Sequence, residues 1–356
     1  MKYEIDFLGL KQKTKDADAL CFRYYDEALQ RYVVGVYDGG LTEYGVALKE
    51  HLRKYYFNND PNPKIDYVIC SHPDQDHAVG LTEILENFEV GMLVMNRPWL
   101  YVDELFPKVY DGRVTKASLE KRLRESYPYA DALETLAKDK GIPIQEGFQG
   151  TDIDGHLTIL SPSRDFYLQL LVESSKTPLH EDAHNLLAYI KNAIETWTNE
   201  LIREDVETSA GNESSIVVLG DMGEERFLLT GDAGIRALGA AADYAERNIY
   251  SLQTVRVQQI PHHGGRHNVS PSILNRVVGR IVPKGTAPTK TAVVSVAAGT
   301  DHPKKMVVNA YIRRGAKVYE ARTSTLQHHC GDMPPREGWN TVDPLKFSEE
   351  VEDWKE

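Results

Sequence analysis

Lys64-Ile65-Asp66-Tyr67-Val68-Ile69-Cys70 runs directly into Ser71-His72-Pro73-Asp74-Gln75-Asp76-His77, and this stretch decides the fold. Its first half is apolar and rich in β-formers, the pattern of a buried strand. Behind the second half, Ala78-Val79-Gly80-Leu81-Thr82-Glu83-Ile84-Leu85 sets apolar residues at helical spacing. His72, Asp74, Asp76 and His77 therefore fall on a strand-to-helix turn, where α/β proteins usually keep their chemistry. A solvated loop or a hydrogen-bonded turn accounts for one such side chain. Four ligand-type side chains on one turn point to metal.

The chain has 356 residues, enough for one large domain with insertions or for two domains. A net charge of -12 argues against a broad nucleic-acid surface, because Lys and Arg dominate phosphate binding, but it leaves room for a local basic groove. Cys21, Cys70 and Cys330 are too few and too scattered for a disulfide framework, which suits a reducing compartment. Met1 to Phe7 alternates like a strand and lacks the regions of a signal peptide, and no apolar run approaches the ~18 residues of a membrane span. The expected setting is cytoplasmic, without membrane attachment.

Strands are expected at 1–10, 19–25 and 31–38, then a helix at 42–57 before the ligand turn. Asp38-Gly39-Gly40 ends the third strand in a turn that lets the backbone approach another element closely. Residues 116–140 and 166–205, the latter including Leu186-Leu187-Ala188-Tyr189-Ile190, read as helical insertions. Order resumes with Ser215–Leu219 and Arg226–Asp232 as a hairpin, a helix at 234–247, and a strand at 254–260 that leads into Pro261-His262-His263-Gly264. A strand at 291–296 leads to Asp301-His302-Pro303, followed by a helix at 304–314 and a strand at 317–320. Gln327-His328-His329-Cys330 reads as a simple loop, and the last 25 or so residues as a loosely attached tail.

Ligand-type residues thus recur at the ends of separate strands: Asp38, the 72–77 cluster, Asp232, His262 with His263, and His302. Mixed His and carboxylate ligands suit zinc, manganese or iron. Asp232 follows Leu229-Thr230-Gly231 out of a buried strand, as a carboxylate shared by two cations would.

These pieces, in this order, resemble the metallo-β-lactamase fold superfamily, and within it the soluble hydrolase domain of the ComEC-type competence proteins. The likeness runs over residues 1–321, interrupted by insertions at 100–145 and 166–210, and leaves 322–356 as a C-terminal extension. It implies an αββα sandwich with two divalent cations, zinc or manganese, at one edge. By that resemblance His72 and Asp74 serve the first metal, Asp76 and His77 the second, and Asp232 bridges. His263 completes the ligand set of the second metal, leaving His262 to orient or protonate a substrate oxygen, although the adjacent pair could exchange these roles. Asp38 steadies the ligand loop, and His302 lies near the leaving group.

Two departures matter. Asp74 stands where the superfamily commonly has His, which tilts the first site toward manganese. The first metal also lacks the usual His ahead of the bridging Asp: Asn212 or Ser214 occupies roughly that place, and His156 is read as a strand-surface residue.

The expected activity is hydrolysis of a phosphodiester by a metal-bound hydroxide, with His262 or His302 protonating the departing oxygen and Arg266, Arg276, Arg280 and Lys284 as candidates for a phosphate-attracting rim. The substrate would be nucleic acid or a small phosphodiester. Hydrolysis of a carboxylic ester, thioester or lactam is the alternative within the superfamily. A regulatory module that docks a protein partner through the helical insertion is the alternative outside it.

Overall fold

The computed structural model describes residues 1–11, 15–108, 114–174, 176 and 192–354. Among these, two sheets stack face to face with helices on both outer faces. The first sheet runs in the order Leu326–Cys330, Tyr3–Phe7, Ala19–Asp26, Arg31–Gly39, Lys64–Ile69, Glu89–Val94, Ile144–Gln145. The second runs Ala316–Ala321, Lys290–Ser295, Val257–Gln259, Arg226–Leu229, Val217–Asp221, Leu157–Ser161. This is the α/β, αββα arrangement expected.

Side-chain alternation explains the layers. In Ala19–Asp26, Leu20, Phe22 and Tyr24 point into the apolar layer between the sheets, whereas Ala19 and Cys21 point toward the helices. Val218 and Val293 likewise face the inter-sheet layer, while Val217, Leu219, Ala292 and Val294 face the helices of the second sheet. Each fully buried Leu, Val or Phe of these layers stabilises the fold by ~1.5–3 kcal/mol. The expected insertion around 116–140 is two helices, Lys116–Ser126 and Pro128–Asp139, whose Leu119, Leu123, Ala130, Leu133 and Ala137 join Ile84 and Leu85 in one core.

Three expectations change. The helix expected over 166–205 spans only Arg164–Glu173; Asn192–Ile194 is a short strand paired with Glu350–Glu352, and Leu186–Ile190 lies outside the described residues. Gln327–Cys330 is no loop, because it pairs antiparallel with Tyr3–Phe7 and extends the first sheet. The terminal segment is anchored, not loose: Arg336 is buried on Glu4 and Asp6, and Val351 is 1% exposed.

One glycine contact positions the site. A Cβ on Gly39 would lie 2.3 Å from Leu81 N and one on Gly80 1.9 Å from Gly39 O, so only glycines let the end of Arg31–Gly39 touch the start of helix Leu81–Asn87. That contact fixes Asp38 beside the ligand turn.

Candidate metal centre

The ligand turn leaves the strand at Ile69, and Asp74 stands at the position just before the short helix Gln75–Ala78 that carries Asp76 and His77, its side chain left free of the helix amides. Asp38 organises it from beneath. Its carboxylate accepts from Ser71 N at 2.7 Å and Ser71 Oγ at 2.6 Å, and from His77 Nδ1 at 2.8 Å. With its proton on Nδ1, His77 turns Nε2 toward Asp232 Oδ1, 3.2 Å away.

The same logic repeats in the other rings. His72 Nδ1 lies 3.1 Å from Ser71 Oγ, which already donates to Asp38 and so accepts from the ring; His72 Nε2 then faces Asp232 Oδ2 at 3.8 Å and Asp74 Oδ2 at 3.9 Å. His263 Nδ1 donates to the Ser295 carbonyl at 2.9 Å, which leaves Nε2 3.6 Å from Asp76 Oδ2. A histidine tied down through Nδ1–H, with Nε2 bare, is prepared to bind metal.

These bare atoms are buried without hydrogen-bond partners: His72 Nε2, His77 Nε2, His263 Nε2, Asp232 Oδ1 and both oxygens of Asp18. Buried polar groups are seldom left this way, and each costs on the order of 1–3 kcal/mol when unpaired. Asp18, His77, Asp232 and His263 bring ligand atoms within 4.8 Å of one another, a spacing that one cation would satisfy.

The electrostatics agree. Burial disfavours charge on the His263 ring, yet Asp18, Asp76 and Asp232 outweigh it and push its pKa up to about 10. Burial likewise disfavours charge on His77, yet Asp232 and Asp38 drive its pKa well above the usual imidazole range. His72, buried and facing His77, is pushed down. Burial raises Asp18 to about 6 despite the neighbouring His263 and His77 rings. The carboxylates thus favour positive charge at this centre, which a divalent cation would supply.

The sequence-expected residues His72, Asp74, Asp76, His77, Asp232, His262 and His263 meet at this centre. His302 stands beside it, its ring 6.5 Å from that of His262 and its Nδ1 2.8 Å from Asp16 Oδ2. Asp18 was not expected. Residues 15–18 fall between the first two expected strands, and Asp18 N donates to Asp76 O at 3.1 Å, with the side chain buried beside the ligand turn. Its one signal is position, immediately ahead of the apolar strand at Ala19. His156 stays apart, edge-on to Tyr24 at 5.2 Å. Two of the expected rim residues are engaged elsewhere: Arg276 pairs with Asp243 and Glu246, and Arg266 donates to the Asp353 carbonyl and lies over Trp354.

No family model and no curated protein matches the sequence. Among solved structures the chain is similar to Tm1679, described as a metal-dependent hydrolase of the beta-lactamase superfamily, at 12% identity over 93% of this chain and 100% of that one, with a TM-score of 0.42. It is also similar to unliganded yeast PDE1, at 10% identity over 92% of this chain and 99% of that one, TM-score 0.42. A beta-lactamase domain protein from Burkholderia ambifaria matches at 11% identity over 70% of this chain and 62% of that one, TM-score 0.30. At such scores these likenesses bear no weight, and the layer order stands on the chain's own two sheets. No helix among the described residues is long and apolar enough to cross a membrane.

Proposed function

We propose that the chain is a metal-dependent hydrolase that cleaves phosphodiesters, in a nucleic-acid strand or a small molecule, with two divalent cations held in the Asp/His cage. The observation that carries this reading is the convergence of bare, buried ligand atoms from His72, His77, Asp18, Asp232 and His263 on one centre. The donor set favours a harder ion such as manganese, since Asp18, Asp74, Asp76 and Asp232 supply carboxylates to it. Such cations supply Lewis acidity at a phosphoryl oxygen and a water acidic enough to attack near neutral pH.

The chain's own residues do the rest. Asp232, with one oxygen toward His77 and the other toward His72, spans the cage and fixes its two halves relative to each other. Asp38 and Ser295 hold the His77 and His263 rings in register by accepting their Nδ1 protons. In this reading His302 gives a proton from Nε2 to the departing oxygen, with Asp16 accepting from its Nδ1 and fixing the orientation of the ring. Although burial works against its charge, the His302 hydrogen bond and the His263 ring hold Asp16 down to about 2, so it stays ionised at working pH.

The test is hydrolysis of bis-p-nitrophenyl phosphate and of single-stranded DNA with manganese or zinc added, using Asp232→Ala as control. Metal-dependent cleavage lost in the control supports the reading, and the DNA lane separates a nuclease from a small-molecule phosphodiesterase. Bound metal without either cleavage would contradict it and redirect the search to carboxylic esters, thioesters and lactams.

A further inference from the structure

We infer that His262 is the missing ligand of the first cation site, so that the adjacent histidines are divided one to each site. His262 would join His72, Asp74 and one oxygen of Asp232. His263 would join Asp76, His77, Asp18 and the other. The inference rests on the two-cation reading of the cage and not on the choice of a phosphodiester substrate.

The Asp232 carboxylate shows the division. Its Oδ1 faces His77 Nε2 at 3.2 Å, whereas its Oδ2 faces both His72 Nε2 at 3.8 Å and His262 Nε2 at 3.6 Å. With Asp74 Oδ2 3.9 Å from His72 Nε2, these Oδ2-side separations are too long for hydrogen bonds. They are close to the ~3.4 Å edge of a tetrahedron of ligands lying ~2.1 Å from a shared ion.

The protonation of His262 follows from its neighbours. Asn268 Nδ2 donates to the Asp232 carbonyl at 2.8 Å, which orients the amide and turns its Oδ1 toward His262 Nδ1 at 2.7 Å. That oxygen can only accept, so Nδ1 carries the proton and the Nε2 lone pair points at Asp232 Oδ2. This is the arrangement of the other three rings. A proton donor to substrate would instead need hydrogen on Nε2.

Asn212 is a second amide beside the His262 ring. It stands at roughly the place where the resembled superfamily carries its third first-site histidine, and its Nδ2 lies 3.3 Å from His262 Nδ1. With Nδ1–H directed to Asn268, this approach is a packing contact between two donors, and the amide offers no ring nitrogen to a cation. The backbone reflects the same demand: His262 and His263 both adopt left-handed conformations, with φ of 48° and 53°. Such conformations cost on the order of 1 kcal/mol or more each for a residue with a side chain and persist where the surroundings impose them. Here they bring two successive rings to one centre, His262 Nε2 toward Asp232 Oδ2 and His263 Nε2 toward Asp76 Oδ2.

The test is calorimetric titration of chelator-stripped full-length protein with manganese, followed in parallel by the visible absorption of cobalt(II) as a coordination probe. Wild type is expected to bind two ions. His262→Ala should lose one of them or bind it at least roughly 100-fold more weakly, more than the 10- to 100-fold loss typical of removing a residue that merely orients a ligand. Asn268→Ala, which leaves the ring in place, should weaken the same ion by less, and His263→Ala should spare that ion and lose the other. Circular dichroism establishes that each variant is folded. Two ions bound at wild-type affinity by His262→Ala would overturn the inference and return His262 to the substrate. A wild type that binds one ion, retained by His262→Ala, would overturn it as well. Absence of any binding by wild type would instead sink the metal reading of the cage itself, while two-ion binding without phosphodiester cleavage would sink only the proposed substrate.

Discussion

Two buried clusters of carboxylates and histidine invite comparison, because both bring ligand-type atoms within reach of a common centre: Asp6, Cys21 and His51 in one, and Asp18, His77, Asp232 and His263 in the other. In the first, the chain supplies its own counter-charge. Arg336 reaches Glu4 Oε1 and Asp6 Oδ2, both at 2.7 Å, Arg23 lies 2.8 Å from Glu4, and His51 meets Asp6 at 2.6 Å. Asp6 Oδ1 aside, the carboxylate oxygens there are engaged. In the second, no arginine pairs with the four ligands among the described residues, and Lys176 touches only the neighbouring Asp74. The difference separates a latch from a cage: one cluster is neutralised by folding, and the other calls for a cation from outside.

The sharpest way to break this contrast is Asp232→Ala. Loss of the shared carboxylate should lower turnover in the proposed phosphodiester hydrolysis by at least ~1000-fold, equivalent to ~4 kcal/mol in the barrier, with the melting profile showing a folded protein. Normal turnover would remove Asp232 from the centre. Arg336→Ala tests the latch from the other side. Leaving Glu4 and Asp6 buried without their partner should cost ~3–5 kcal/mol in urea denaturation, while metal bound per folded chain stays at the wild-type value. A fall in bound metal without a fall in stability would mean that the two clusters had been assigned the wrong way round.

Smaller effects sharpen the picture of the cage. Asp18→Asn keeps the shape and removes the charge, so manganese affinity should drop ~10- to 100-fold; unchanged affinity would show that Asp18 plays no part in holding the ion. Asp74→His should turn preference from manganese toward zinc by about 10-fold, in keeping with the softer imidazole. Competition between the two metals measures this, and an unchanged ratio would exclude Asp74 as a ligand.

The contrast also marks what the sequence could disclose. Strong local patterns carried the strand-helix alternation and the ligand turn, in apolar runs ending in His72 to His77, Asp232 and His262–His263, while the αββα layering was what the resemblance of those pieces implied. Asp18 escaped because its burial depends on a backbone bond to Asp76, a partner distant in sequence. Gln327–Cys330 escaped for a related reason. Its polar run becomes a strand only because Tyr3–Phe7 presents an open edge to it. Arg336 looked like part of a polar tail, and its role as counter-charge to Glu4 and Asp6 appears only when the chain's two ends meet. Roles set by local spacing could be read in advance, and roles set by long-range pairing could not.

The most direct test of the central claim is elemental analysis of protein purified without chelators, wild type beside Asp232→Ala, each normalised to folded chain. The cage reading predicts bound manganese or zinc in the wild type, approaching two ions after reconstitution, and a clear loss in the variant. A folded wild type that takes up no divalent ion, or a variant that holds as much as the wild type, would contradict it.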